Sequence, residues 1–251
     1  MAKADVRVFK TKAEAAEAAA GLIKEALLRA ESENRPCALC LPGGATPKAV
    51  YFLLAKEAAL PWKRAEFFWS DERYAPPTHP DSNFRAARDL LLAPLGIADS
   101  AVHRIATDAK DPAADARRYE TALRARWPKA PTPAFDLTLL GLGVDGGTAS
   151  LVPGVPAMKE EERWVASVSL LGERAPGAAR HEGPPARITL TPPALRGARV
   201  TAFLALGEEK AEAVRAALSS AEPETECPAR AVVPAGAPPV WLLDRDAAKH
   251  L

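Results

Sequence analysis

The sequence predicts a three-layer α/β fold, with an open, mostly parallel, Rossmann-like sheet and helices on both of its faces. Three observations carry this expectation. Short apolar runs alternate along the chain with Ala-rich stretches whose apolar residues recur at helical spacing. The clearest run, Phe135 to Leu140, drives straight into the glycine cluster Gly141-Leu-Gly-Val-Asp-Gly-Gly147, as a buried strand does at the carboxyl edge of a sheet. The 251 residues suffice to bury a proper core, and one domain spanning 1–251 is expected.

Taken in order, Val6 to Phe9 reads as the first strand. Thr11 caps a long helix to about Ala30, with Ala15, Ala19, Leu22, Ile23, Ala26 and Leu27 on one face. Ala38 to Leu41 is a strand, followed by Gly43-Gly44 and a helix beginning at Pro47 with Thr46 as its N-cap. Glu66 to Trp69 is a strand followed by a long polar loop. Ser82 opens a helix to Leu92, and Asp111-Pro112 opens one to about Arg126. Further strands fall near Val165–Val168, Arg187–Leu190, Val200–Leu206 and Val240–Leu243, with a helix from Glu208 to Ser219. The Pro/Gly-rich stretches 172–186 and 221–239 read as loops rather than linkers, because strands resume directly after each.

Composition narrows the function. Hydrophobic residues at 48% and charged residues at 26% are ordinary for a globular enzyme. A net charge of +1 argues against nucleic acid or a membrane surface as the main partner, since both call for a basic excess. Cys37 and Cys40 have the spacing of a redox or zinc pair but lie inside an apolar strand, so core cysteines in a reducing compartment are expected. No basic-then-apolar leader and no apolar run approaching 18 residues is found, which points to the cytoplasm.

Three strand-to-loop transitions could carry chemistry. In Leu41-Pro-Gly-Gly-Ala-Thr-Pro47, glycines let the backbone approach a ligand, and a helix N-terminus offers unpaired N–H groups. That suits a phosphate, although a tight turn needing φ > 0 accounts equally well for the glycines. In Phe67-Phe-Trp-Ser-Asp-Glu-Arg73, three charges abut a buried strand, as members of a network at the sheet edge would. Asp71 is then a candidate base, Arg73 an anion ligand or clamp, and His79 an exposed bystander. The third, Gly141 to Gly146, matches G-x-G-x-x-G, but Pro153 and Pro156 interrupt the long helix a dinucleotide site requires. Lys210 opens a helix against the dipole, which either a bound anion or simple solvation explains.

Nearly end to end, the chain resembles the 6-phosphogluconolactonases, which belong with the glucosamine-6-phosphate deaminases and isomerases. The resemblance rests on Gly43-Gly-Ala-Thr-Pro47, Trp69-Ser-Asp-Glu-Arg73, Pro80-Asp-Ser-Asn83, Gly141 to Gly146 with Thr148-Ala-Ser-Leu151, Arg187-Ile-Thr-Leu-Thr191, Gly207-Glu-Glu-Lys210 and Trp241-Leu-Leu-Asp244. It implies hydrolysis of 6-phosphoglucono-1,5-lactone in the oxidative pentose phosphate pathway, by a monomer without metal or cofactor. It makes Gly43, Gly44, Ala45, Thr46 and Gly146 part of the phosphate and substrate cradle, Lys210 a phosphate ligand, Arg73 and Arg187 pocket cations, and Asp71 and Asp145 acidic site residues. The Asn-Glu pair of the deaminases is missing, and Ser150-Leu-Val-Pro153 stands in its place. Three departures stand out. Gly147 occupies the position of the family's general-base histidine, Ala45 replaces a usual Ser, and Arg196 replaces a common Asn. Asp71, Asp145 or a histidine from elsewhere, such as His181, would then handle the water's proton; a sugar-phosphate binder with impaired catalysis and an aminosugar-phosphate deaminase or isomerase are the alternatives.

Overall fold

A computed structural model of the chain describes residues 4–170, 183–219, 226–234 and 236–251. The first helix shows how local chemistry sets the elements. The Thr11 hydroxyl accepts from the Glu14 N–H at 3.1 Å, and the Glu14 carboxylate accepts from the Lys10 N–H at 2.8 Å. This reciprocal cap satisfies two donors at the N-terminus of α1 (Lys12–Ser32). Its alanines and leucines then bury one stripe, including Ala15, Ala19, Ile23 and Leu27.

The strands are β1 (Asp5–Phe9), β2 (Cys37–Leu41), β3 (Ala65–Trp69), β4 (Asp71–Arg73), β5 (Val102–His103), β6 (Leu137–Gly141), β7 (Val165–Ser169), β8 (Ala186–Leu190), β9 (Thr201–Ala205) and β10 (Val240–Asp244). The other helices are α2 (Pro47–Leu54), α3 (Asn83–Ala87), α4 (Pro112–Arg126), α5 (Pro192–Leu195), α6 (Ala211–Leu218) and α7 (Pro228–Ala231). Seven strands form one sheet in the order β1-β10-β9-β6-β2-β3-β5, every pair parallel. The interior strands β2, β9 and β10 are buried at every position, as a parallel sheet covered on both faces requires. Cys37 and Cys40 are free thiols within β2, and burial pushes the Cys37 thiol up to about 12, so both serve as packing.

Not all predicted strands join that sheet. β4, β8 and β7 form a separate antiparallel sheet in that order. Asp71 to Arg73, expected to begin a polar loop, is therefore a strand, paired Asp71 to Thr189, Glu72 to Ile188 and Arg73 to Arg187. Ser70 is the joint between the two sheets. Its N–H donates to the Leu41 carbonyl of the large sheet, and its carbonyl accepts from the Leu190 N–H of the small one. The small sheet packs on α4. Apolar residues of both sheets share one core that contains Trp69, Trp164, Phe203 and Trp241.

The helix expected from Ser82 begins as predicted, with the Ser82 hydroxyl accepting from the Arg85 N–H, and continues through Leu92 as a wider π turn. Thr46 is a correction. Its backbone is already helical (φ −57°, ψ −47°) and its hydroxyl makes no capping bond. Burial of Pro47, Val50, Tyr51 and Leu54 and the pre-set φ of Pro47 hold α2 instead.

Candidate active site

Four neighbouring strands of the large sheet, β9, β6, β2 and β3, send their carboxyl-end loops into one crevice of about 450 Å³. The small sheet adds a wall. This is the edge at which open α/β sheets place ligands.

After β2, Pro42 to Thr46 make the floor. The two glycines are needed for different reasons. Gly44 has φ 95°, a backbone that side-chain-bearing residues rarely adopt. Gly43 has an ordinary φ, but a Cβ built there would lie 1.9 to 2.1 Å from the side-chain amide of Asn83. The Tyr51 hydroxyl donates to the Pro42 carbonyl at 2.7 Å and ties the turn to α2. Thr46, whose hydroxyl makes no capping bond, lines the crevice beside Gly44 and Ala45 immediately before α2, a setting that suits an anion.

After β3, Asp71 lies buried at the crevice wall. Its Oδ2 accepts from the Ser150 hydroxyl at 2.7 Å and its Oδ1 from the Asn83 amide at 3.2 Å. Glu72 points elsewhere. Its carboxylate accepts from the N–H groups of Arg73, Asn83 and Phe84 and from the Ser82 hydroxyl, pinning the start of α3. Burial raises the Glu72 pKa above the ordinary value, against the backbone hydrogen bonds that lower it. Arg73 faces Arg187 directly across the β4–β8 ladder. Like charges so placed repel, and together with burial this lowers the Arg187 pKa, burial being the larger cause. Arg73 donates to the Asp81 carbonyl and Arg187 to the Pro184 carbonyl, so backbone oxygens orient both guanidiniums beside the crevice.

After β6, the glycine loop folds on itself. The Gly143 N–H donates to the Gly147 carbonyl at 2.7 Å, and Asp145 Oδ1 accepts from the Gly147 N–H at 3.0 Å. Asp145 lies so close over the loop that a Cβ on Gly143 would meet its Oδ1 at 2.3 Å. Ala149 sits at φ 52°, which costs a non-glycine residue about 1–2 kcal/mol. That conformation aims Ser150 at Asp71, while the Ser150 N–H donates to the Thr189 hydroxyl. After β9, Gly207 at φ 98° turns the chain, its N–H held by both oxygens of Asp244. Lys210 follows, half-buried at the crevice, and burial lowers its pKa against the pull of Glu209 and Asp145. Among the described residues its ammonium makes no ion pair and no side-chain hydrogen bond.

The crevice thus gathers Gly43, Gly44, Ala45, Thr46, Asp71, Arg73, Asp145, Gly147, Arg187 and Lys210. Gly146 is the exception. At φ 74° it turns toward Cys227, and its carbonyl accepts from the Ala229 N–H. Arg196 donates to the Ala231 carbonyl and does not line the crevice. His79 is half-buried rather than exposed, its Nδ1 accepting from the Asp81 N–H; His181 lies outside the described residues. Sequence reasoning assigned no role to Ser150, Asn83, Thr189 or Glu209. All four were visible only as motif letters, and no local signal marks Thr189 as a hydroxyl acceptor beside Asp71.

A glycine turn, three cations and three carboxylates, Glu209 among them, meet at a parallel-sheet edge, an arrangement that suits a small anionic ligand. The family model described as glucosamine-6-phosphate isomerases/6-phosphogluconolactonase matches residues 10–241. The chain is 38% identical to a 6-phosphogluconolactonase of Synechocystis sp. over 227 residues, covering 90% of this chain and 89% of that one. It is 36% identical to a 6-phosphogluconolactonase of Streptomyces coelicolor, covering 97% and 93%. Its fold is similar to the solved 6-phosphogluconolactonase from Trypanosoma brucei, with a TM-score of 0.83 at 30% identity over 99% of both chains. The chain belongs to the glucosamine-6-phosphate isomerase/6-phosphogluconolactonase family.

Proposed function

We propose that this protein hydrolyses 6-phosphoglucono-1,5-lactone to 6-phosphogluconate, a carboxylic ester hydrolysis of the oxidative pentose phosphate pathway. The observation that carries the proposal is the convergence of the Gly43–Thr46 turn and Lys210 with Asp71 and Asp145 in one crevice. The turn's N–H groups, the Thr46 hydroxyl and Lys210 take the phosphate. Arg73 and Arg187 offer the charge that an oxyanion at C1 needs. A water oxygen bonds to C1, the ring C1–O bond breaks, and the ring oxygen picks up a proton. With Gly147 in place of an imidazole, Asp145, oriented by the Gly147 N–H, and Asp71, oriented by Ser150, are the groups that hold or accept the water's proton.

The proposal extends to one domain over 1–251, acting as a cytoplasmic monomer on a small molecule, with no metal, cofactor or nucleic acid. Among the described residues no helix is long and apolar enough to cross a membrane. A second reading, a sugar-phosphate binder without turnover, is favoured by one observation, the absent imidazole at Gly147. Acid release from freshly prepared lactone separates the two. Turnover above the spontaneous rate supports the hydrolase. Tight binding of 6-phosphogluconate with no turnover replaces it with the binder, and ammonia release from glucosamine 6-phosphate would move the protein to the deaminase branch.

A further inference from the structure

Asn83 lies outside the crevice lining yet touches both halves of the site. Its side-chain amide is buried, with 2% of the residue exposed. Nδ2 donates to the Asp71 carbonyl at 2.9 Å and to Asp71 Oδ1 at 3.2 Å. The same amide fills the space in which a Cβ of Gly43 would stand. Its Oδ1 is buried with no hydrogen-bond partner among the described residues. An unsatisfied buried acceptor costs about 1–3 kcal/mol, so this placement is not explained by the stability of the amide alone. The rest of the residue is fixed from behind. The Asn83 N–H donates to Glu72 Oε1 at 2.7 Å, and Glu72 also holds Phe84 and Ser82. Glu72 and Asp71 are consecutive in β4, so one strand both anchors α3 and receives its first side chain.

We infer that Asn83 is a positioning residue that sets the Asp71 carboxylate and the Gly43 turn with a single side chain, coupling the reacting end of the substrate site to its phosphate end. This rests on the hydrolase reading only for its kinetic consequence. The coupling itself follows from the contact between Asn83 and Gly43 and from the Asp71 hydrogen bond. No other residue has to transmit it. A Cβ at position 43 must displace the amide, and a displaced amide gives up its bond to Asp71 Oδ1, leaving that carboxylate to the Ser150 hydroxyl. Truncating Asn83 opens the space that the new methyl group needs.

Two measurements test this on the intact protein. The first is the affinity for 6-phosphogluconate of wild type, Gly43→Ala, Asn83→Ala and the double variant, with thermal melting as the check on folding. Gly43→Ala alone should weaken binding at least tenfold, and in the Asn83→Ala background the same change should cost less than threefold. Additive losses would overturn the coupling, and so would no loss in Gly43→Ala. This arm needs no turnover and therefore stands even if the wild type proves to be a binder. The second is the lactonase pH profile of Asn83→Ala and Asn83→Asp. Misplacing a reacting group by about 1 Å costs on the order of 10²-fold, so Asn83→Ala should lose roughly 30- to 100-fold in kcat with KM changed less than fivefold. Asn83→Asp places a carboxyl against Asp71. Two carboxyls so close share one proton, so its activity relative to wild type should rise at least tenfold between pH 8 and pH 5. A relative activity of Asn83→Asp that is flat with pH, or an Asn83→Ala enzyme within threefold of wild-type kcat, would refute the positioning role. A wild type no faster than spontaneous hydrolysis would instead fault the hydrolase reading.

Discussion

Replacing Gly147 with histidine is the sharpest perturbation the site offers, because it sets a chemical gain against a packing cost that can be worked out from the loop. The backbone at 147 does not require glycine, since its φ lies outside the left-handed region. Space is the constraint. A Cβ there would lie 2.9 Å from the Leu151 carbonyl and from Asp145 Oδ1, and 3.2 Å from Val152 Cγ1. Leu151 cannot easily retreat, because its carbonyl and N–H are both bonded to Thr148. Asp145 is a side chain and can swing, at the expense of its bond from the Gly147 N–H. Overpacking of this kind costs about 1–3 kcal/mol, which for a chain of this size lowers the melting temperature by roughly 2–12 °C. Against that, a positioned general base contributes about 10²–10⁴-fold in rate. Gly147→His should therefore melt earlier than wild type and yet release acid from fresh lactone at least tenfold faster at pH 7.5. The gained rate should fall away in acid through about pH 6.5, as the imidazole takes up the proton it would need to accept. A folded Gly147→His protein that binds 6-phosphogluconate but turns over no faster than wild type would refute the claim that the missing imidazole limits this enzyme.

Other outcomes follow from the same geometry. Lys210→Met should weaken 6-phosphogluconate binding at least tenfold by isothermal titration calorimetry. In the wild type, affinity should decline with rising pH sooner than an ordinary lysine would allow, because burial lowers the Lys210 pKa and only the ammonium binds phosphate; Lys210→Arg should abolish that early decline. Glu72→Gln leaves N–H groups of Arg73, Asn83 and Phe84 facing an amide, and should cost roughly 1–3 kcal/mol in denaturant unfolding. Because the folded Glu72 pKa is raised, its contribution is fully present below the unfolded value and is lost as pH rises through the folded one. The stability gap between wild type and Glu72→Gln should thus narrow from acid to neutral pH, and a gap that widens would contradict the assignment. Ser150→Ala removes the hydroxyl that donates to Asp71 Oδ2 and should lower kcat with little change in KM in the lactone assay. An effect on KM alone would place Ser150 in substrate binding instead.

How much of this could be read from the chain varied with the range of the interactions involved. The cap at Thr11, the strand Glu66 to Trp69 and the helix start at Pro47 follow from neighbours within a few residues, and the sequence places them within a residue or two. Thr46 misled because Ser and Thr before a proline usually cap, whereas here the chain is already helical one residue earlier. Asp71-Glu72-Arg73 misled more deeply. Three successive charged residues carry no strand periodicity, and they become a strand only because Thr189, Ile188 and Arg187 arrive from far along the chain to pair with them.

By itself, the amino-acid order determined the alternation of strands and helices, the glycine turns at strand ends and most of the residues that line the crevice. These depend on φ preferences, side-chain volume and spacing, all of which are local. Only the tertiary structure decided that a second, antiparallel sheet walls the site, that Arg73 faces Arg187, that Gly146 turns away, and that Asn83 rests on Gly43. Those outcomes arise from contacts between segments remote in sequence, where burying a polar group requires a partner whose arrival no local pattern announces.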